Sequence, residues 1–179
     1  MSSAKNIVLG VTGSIAAYKA ADLTSKLVKA GCDVTVIMTE CSKQFVGEQT
    51  FLTLSRNPVV TSLWEMPDWK PGHVALADTA SFFIVAPCTA NFMGKYAAGI
   101  ADDALTTFAI SFDGKVLLAP AMNTRMWNHP ATRHNKSVLE SRGVTFVGPD
   151  TGALACGIDG EGRMCDVQAI LDTVAAINK

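Results

Sequence analysis

No stretch of this 179-residue chain approaches the roughly 18 consecutive apolar residues that a membrane-spanning helix needs, so no membrane segment is expected. The opening MSSAKNIVLGVTGS lacks the charged head, long apolar centre and small-residue cleavage site of a secretory signal, so the expected compartment is the cytoplasm. Basic runs are absent too. Fifteen Lys and Arg stand against sixteen Asp and Glu, and the formal net charge of −1 leaves no electrostatic footprint for nucleic acid. There is no CxxC pair and there are only three histidines, so no structural metal site is expected. The cysteines, Cys32, Cys41, Cys88, Cys156 and Cys165, are odd in number, which argues against a disulfide framework in that compartment.

Apolar residues are plentiful, at 49% against 17% charged, with a mean hydropathy of +0.25. The length suits one domain spanning residues 1–179. The apolar excess points to surface buried between copies of the chain, because obligate interfaces resemble a core cut in half.

The hydrophobic pattern alternates between short β-branched runs and helical stripes. KNIVLGV (5–11) reads as a buried strand, TGS as a turn, and IAAYKAADLTSKLVKAG as a helix stopped at Gly31. DVTVIMT, SFFIVAP, KVLLAPAM and VTFVGP read as further strands. TANFMGKYAAG, DDALTTFAISF, HPATRHNKSVLESRG and CDVQAILDTVAAINK read as helices, the last with Asp166 as its cap. This is the pattern of an α/β doubly wound parallel sheet, a Rossmann-like or flavodoxin-like three-layer sandwich. The least regular stretches are 62–72 and 148–165. The second contains ACGIDGEGRM (155–164), whose glycines mark it as a mobile loop of about residues 150–165.

Ligands in such folds bind beyond the carboxyl ends of the strands. At the first such end, Gly13 lets a backbone approach a ligand, and Ser14 opens a helix whose N–H groups favour an anion. The turn is neither GxGxxG nor a P-loop, and an ordinary serine-capped turn explains it equally well. Thr39 ends the second strand, and no acid is placed there to bind an adenine ribose, which leaves mononucleotides open. In APCTAN, Thr89 and nearby amides can hold a phosphate or a ring edge, or simply cap a helix. In PAMNTRMW, Asn123 falls at a strand end beside Met122, Met126 and Trp127, where an amide can donate to a carboxylate; the plain alternative is again a cap. His73 carries the side chain best suited to proton transfer near neutral pH, but a lone histidine is more often structural. His129 and His134 read as solvated surface, and Asp102 and Asp103 as helix caps.

Together these stretches resemble the homo-oligomeric flavin-containing cysteine decarboxylases, over nearly the whole chain. PAMNTRMW is similar to that family's PxMNxxMW motif, and ACGIDGEGRM to its ACGxxGxGRM substrate clamp. The resemblance implies FMN, held by Gly13, Ser14, Ile15, Thr39, Cys88, Thr89, Ala90, Asn91 and Ala121. It implies His73 as the active-site histidine and Cys156 as the proton donor. Asn123 would grip the substrate carboxylate, with Ala155, Gly157, Arg163 and Met164 in the clamp. It implies trimers with interfacial sites, and decarboxylation of 4′-phosphopantothenoylcysteine to 4′-phosphopantetheine in coenzyme A synthesis. An alkyl carboxylate has no electron sink of its own, and a flavin that takes and returns a hydride resolves this. The alternatives are a peptidyl-cysteine decarboxylase of lantibiotic type, which needs no counterpart of Cys156, and a non-catalytic flavin-binding regulatory subunit. The chain departs from the family at Cys88, Phe92 and Ser81. Many relatives carry a second, ligating domain, so this is expected to be either a stand-alone enzyme or one domain of a larger protein.

Overall fold

The computed structural model describes residues 5–64, 72–155, 157 and 159–177. A five-stranded parallel sheet forms the centre, in the order β2-β1-β3-β4-β5. Its strands are β1 (Asn6–Val11), β2 (Asp33–Met38), β3 (Phe82–Cys88), β4 (Lys115–Pro120) and the short β5 (Thr145–Phe146). The helices between them are α1 (Ala17–Lys29), α2 (Glu48–Ser55), α3 (Gly72–Thr79), α4 (Ala90–Ala98), α5 (Ala104–Ser111), α6 (Thr124–Trp127) and α7 (Pro130–Ser141). An antiparallel pair, β6 (Asp150–Ala153) and β7 (Asp159–Arg163), follows, and α8 (Val167–Ile177) comes last.

Side chains on successive strand residues point to opposite faces, and here each face meets its own helical layer. Ile7, Leu9 and Val11 of β1 join Phe82 and Ile84 of β3 and Leu117 of β4 in a cluster with α1 and α8. Val8, Phe83, Val85 and Leu118 enter the opposite cluster, with α4, α5 and α7. Phe83 anchors that second layer, its ring 5.0 Å from Phe108 at 75°, the edge-to-face arrangement that aromatic pairs favour. Gly10 sits on the same face because a Cβ there would lie 2.6 Å from Leu105.

The predicted alternation of strands and helices is thus observed. The sequence reading was silent over residues 40–55, where a short 3-10 helix (Glu40–Gln44) and α2 form, with only Phe51 and Ser55 of α2 buried. Strand order reverses between β1 and β3, because the chain builds β2 on one side of β1 and returns to the other. At that reversal, connections leave the sheet in opposite directions and open a crevice at its carboxyl edge.

Candidate active site

Thr12, the first residue beyond β1, holds this crevice together. It is 2% exposed; its hydroxyl donates to Pro87 O at 2.8 Å and accepts from Thr89 N at 3.1 Å. One side chain thereby ties the ends of β1 and β3. Thr89 in turn caps α4, its Oγ1 accepting from Phe92 N at 3.4 Å, so the remaining first-turn N–H groups of a nine-residue helix face the crevice. Thr39 N donates to Val11 O at 3.1 Å, which brings the end of β2 alongside.

The β1–α1 turn divides the crevice into two clefts. The one richer in polar side chains, of about 420 Å³, is lined by Gly13, Thr39, Cys41, Thr89, Asn91 and Lys95, among others. Gly13 is required: a Cβ would lie 2.6 Å from Cys41 Cβ. Lys95 is already committed. It reaches Asp102 at 2.7 Å and Asp103 at 3.6 Å, and the hydrogen bond to Asp102 holds its ammonium pKa above the usual value. Anion affinity in this cleft therefore rests on hydroxyls and on the dipole of α4 rather than on a free cation.

The second cleft, of about 560 Å³, is mostly apolar, with Ser14, Ile15, Ala121, Met122 and Asn123 on one side and Ala153, Leu154, Ala155, Arg163 and Met164 on the other. Asn123 Oδ1 accepts from Arg125 N at 2.8 Å and starts α6. Its amide nitrogen is a donor of the kind suited to a carboxylate. The cap and the carboxylate-binding amide are thus compatible roles of one side chain.

The clamp stretch, expected as a glycine-rich loop, has β-strands as its flanks. Asp150–Ala153 pair with Asp159–Arg163, and Gly160 and Gly162 are needed for close contact, whereas Gly157 has φ +78° and open space around it. Gly162 lies against the Asn123 loop, where a Cβ would come 2.3 Å from Met122 O, and Gly162 O accepts from Met122 N at 2.9 Å. A Cβ on Gly160 would meet Thr124 Oγ1 at 2.3 Å. Arg133 adds an outer tie, 3.1 Å from Glu161 and 2.6 Å from Asn128 Oδ1, with its guanidinium 4.6 Å above the Trp127 ring. The hairpin and the asparagine loop therefore form one wall.

Of the residues read from sequence, Ser14, Ile15, Ala121, Asn123, Ala155, Arg163 and Met164 line the second cleft, and Gly13, Thr39, Thr89 and Asn91 the first. Ala90 opens α4 behind them, and Gly157 is exposed in the hairpin turn, its N–H donating to Leu154 O at 2.9 Å. Cys88 is different. Register shifts between Val85 and Cys88, which turns its side chain into the second core cluster at 0% exposure. Burial there pushes its thiol pKa well up, and its carbonyl is taken by Ala121 N at 2.9 Å. Its side chain reaches neither cleft. Cys156 lies outside the described residues, as does the side chain of His73, whose backbone is in the first turn of α3.

The surface roles expected of His129 and His134 are observed: both are exposed, and His129 Nδ1 caps α7. Asp103 caps α5 in a reciprocal box with Thr106, as expected, and Asp102 pairs with Lys95. Asp166 precedes α8, with its carboxylate 3.7 Å from Lys19. Sequence reasoning missed Thr12, Lys19 and Lys95. Lys19 donates to Met164 O at 3.0 Å, joining α1 to the root of the hairpin across 145 residues, a separation that no local pattern signals.

A family model described as Flavoprotein matches residues 1–179. The chain belongs to the flavoproteins. This flavoprotein is 48% identical over 168 residues to the coenzyme A biosynthesis bifunctional protein CoaBC of Bacillus subtilis (strain 168), covering 93% of the chain but 41% of that relative. It is 40% identical over 173 residues to a Streptococcus mutans protein named "Probable phosphopantothenoylcysteine decarboxylase", covering 95% of the chain and 97% of the relative. A solved PPC decarboxylase mutant complexed with pantothenoylaminoethenethiol shares the flavoprotein's fold with a TM-score of 0.88, at 28% identity, over 97% of this chain and 98% of that one. The chain spans about two fifths of the length of the bifunctional relatives it matches.

Proposed function

We propose that this flavoprotein is an FMN-dependent phosphopantothenoylcysteine decarboxylase, converting 4′-phosphopantothenoylcysteine to 4′-phosphopantetheine in coenzyme A synthesis. One observation carries the reading: the Asn123 amide, the ACGIDGEGRM hairpin and the Ser14–Ile15 turn meet in a single cleft. The decarboxylase name of the relative spanning the same length supports it. FMN is the flavin of a solved cysteine decarboxylase with this fold. The residues present fit it. Thr39, Thr89 and the α4 N-terminus offer donors for a single phosphate, and Gly13 leaves room for close approach. Ile15, Ala121 and Met122 offer an apolar slot for a ring.

FMN supplies the reversible hydride transfer that gives the carbanion left by CO₂ a place to delocalise. The chain's own residues supply the rest. Asn123 Nδ2 holds the cysteinyl carboxylate and orients it. Met122, Leu154 and Ala121 exclude water around it, which favours release of neutral CO₂ over retention of a charge. Cys156, carried between Ala155 and Gly157, delivers the proton to the product carbon, and His73 orients the thiol end of the substrate. Ile15 at 59%, Tyr18 at 62% and Met126 at 49% exposure leave apolar surface beside the clefts. That surface supports a homotrimer whose partner covers the site, in one flavoprotein domain working in the cytoplasm. Among the described residues no helix is long and apolar enough to cross a membrane.

Mass analysis of the product tests the reading. The wild type is expected to release CO₂ and form phosphopantetheine. The Cys156→Ser variant is expected to stop at the oxidised aminoenethiol, two hydrogens lighter. A colourless protein, or one that binds flavin and leaves the substrate intact, would refute the assignment.

A further inference from the structure

Among the described residues three cations line the two clefts, and two of them are neutralised. Lys19 is bonded to the carbonyls of Met164 and Cys165 and faces Asp166 at 3.7 Å; Lys95 is bonded to Asp102. Arg163 is the third. Among the described residues no carboxylate comes within 4.0 Å of its guanidinium, although Asp150 is its register partner across the hairpin. Its backbone is nevertheless well held, although the side chain is exposed. On one side Gly162 is locked against Met122 by close approach and a hydrogen bond. On the other, Met164 is 1% exposed with its carbonyl on Lys19. The guanidinium lies along Gly152, where even a Cβ would be 3.4 Å away, so a bare peptide acts as its platform. The cleft thus presents neutral donors, Asn123 among them, and one exposed cation that no described carboxylate compensates.

That division matches the two charges of the proposed substrate. The carboxylate must lose its charge in the reaction. A guanidinium on it would stabilise the ground state more than the transition state and raise the barrier. A neutral amide holds the group with less of that penalty. The phosphate keeps its charge throughout, so an ion pair to it contributes binding without opposing the chemistry, and a planar guanidinium can meet it with two parallel hydrogen bonds. Resting on the decarboxylase reading above, we propose that Arg163 is the residue that reads the substrate's phosphate, and so separates 4′-phosphopantothenoylcysteine from its dephosphorylated form and from peptides ending in cysteine.

The experiment compares KM for phosphorylated and dephosphorylated pantothenoylcysteine on flavin-loaded wild type, Arg163→Gln and Arg163→Lys. Arg163→Gln is expected to raise KM for the phosphorylated substrate roughly 10–100-fold, the range of a lost charge-assisted contact, and to raise KM for the dephosphorylated one by a clearly smaller factor. Arg163→Lys is expected to recover part of the preference, since a point charge replaces the fork. Rising salt is expected to weaken the phosphate preference of wild type and not that of Arg163→Gln. The flavin spectrum and kcat serve as checks that the variants are folded. Equal KM increases for both substrates, or an unchanged preference, would overturn the phosphate role while leaving the decarboxylase reading intact. Absence of decarboxylated product from wild type would remove both.

Discussion

Replacing Gly162 with alanine tests whether the hairpin is part of the Asn123 wall. The new Cβ would lie 2.3 Å from Met122 O, a backbone atom that cannot rotate away. The hydrogen bond from Met122 N to Gly162 O, now 2.9 Å, is then lost, at a net cost of about 0.5–1.5 kcal/mol. Gly162 also sits at φ +148°, where a side chain adds strain of about 1–3 kcal/mol. Together these give about 2–4 kcal/mol, a fall in Tm of about 4–16 °C for a chain of this size. Gly31→Ala is the control. Gly31 has φ +85° and nothing within 4 Å of a built Cβ, so only the left-handed penalty of about 1–2 kcal/mol applies. Melting both variants by circular dichroism, flavin-loaded and at one protein concentration, separates clash from strain. KM is expected to rise in Gly162→Ala alone, because Asn123 moves with Met122. A Tm loss no larger than that of Gly31→Ala, with KM unchanged, would refute the docking of hairpin on asparagine loop.

Asn123→Asp retains an oxygen for Arg125 N and so preserves the cap. The like charge against the substrate carboxylate is expected to raise KM more than about 100-fold with the flavin spectrum unchanged. Asp103→Ala removes a cap and its reciprocal box at α5, a loss of about 0.5–2 kcal/mol readable in denaturant unfolding. The hydrogen bond from Lys95 holds the Asp102 pKa below its usual value. Its contribution to stability is therefore present above the unfolded-state pKa and is lost as pH falls through the lower folded value; Asp102→Asn is expected to flatten that acid limb in pH-dependent melts. Burial pushes the Cys165 thiol from 9.0 up to about 11. Its contribution is full below pH 9 and drains as pH rises toward 11, so Cys165→Ala is expected to reduce the alkaline loss of Tm. At pH 8, iodoacetamide is expected to label exposed Cys41 well ahead of Cys88 and Cys165, as peptide mass mapping would show.

The strands and long helices were legible because their signals are local. Ile7, Leu9 and Val11 alternate with Val8 and Gly10 at the period of a strand, and Leu23 and Leu27 recur at that of a helix. The cap at Asp103 was legible for the same reason. The segment 40–55 was not. Its 3-10 helix and α2 bury few side chains, and α2 packs against β2 and α1, which no local pattern signals. Cys88 was placed among the flavin residues because it stands in the APCTAN motif. A register shift inside β3, invisible to a pattern of alternation, turned its side chain into the core.

The amino-acid sequence by itself determined the alternating strands and helices, the amide at the end of β4 and the presence of a clamp motif. Each follows from residue type and spacing over a few positions. Only the tertiary structure decided what Gly160 and Gly162 of ACGIDGEGRM are for. Flexibility and close approach ask for the same residue, and they differ only in what lies opposite: Met122 O and Thr124 Oγ1, 40 and 36 residues earlier in the chain. It likewise decided which cations remain available, because Lys19 and Lys95 are neutralised by groups that folding brings to them and Arg163 is not.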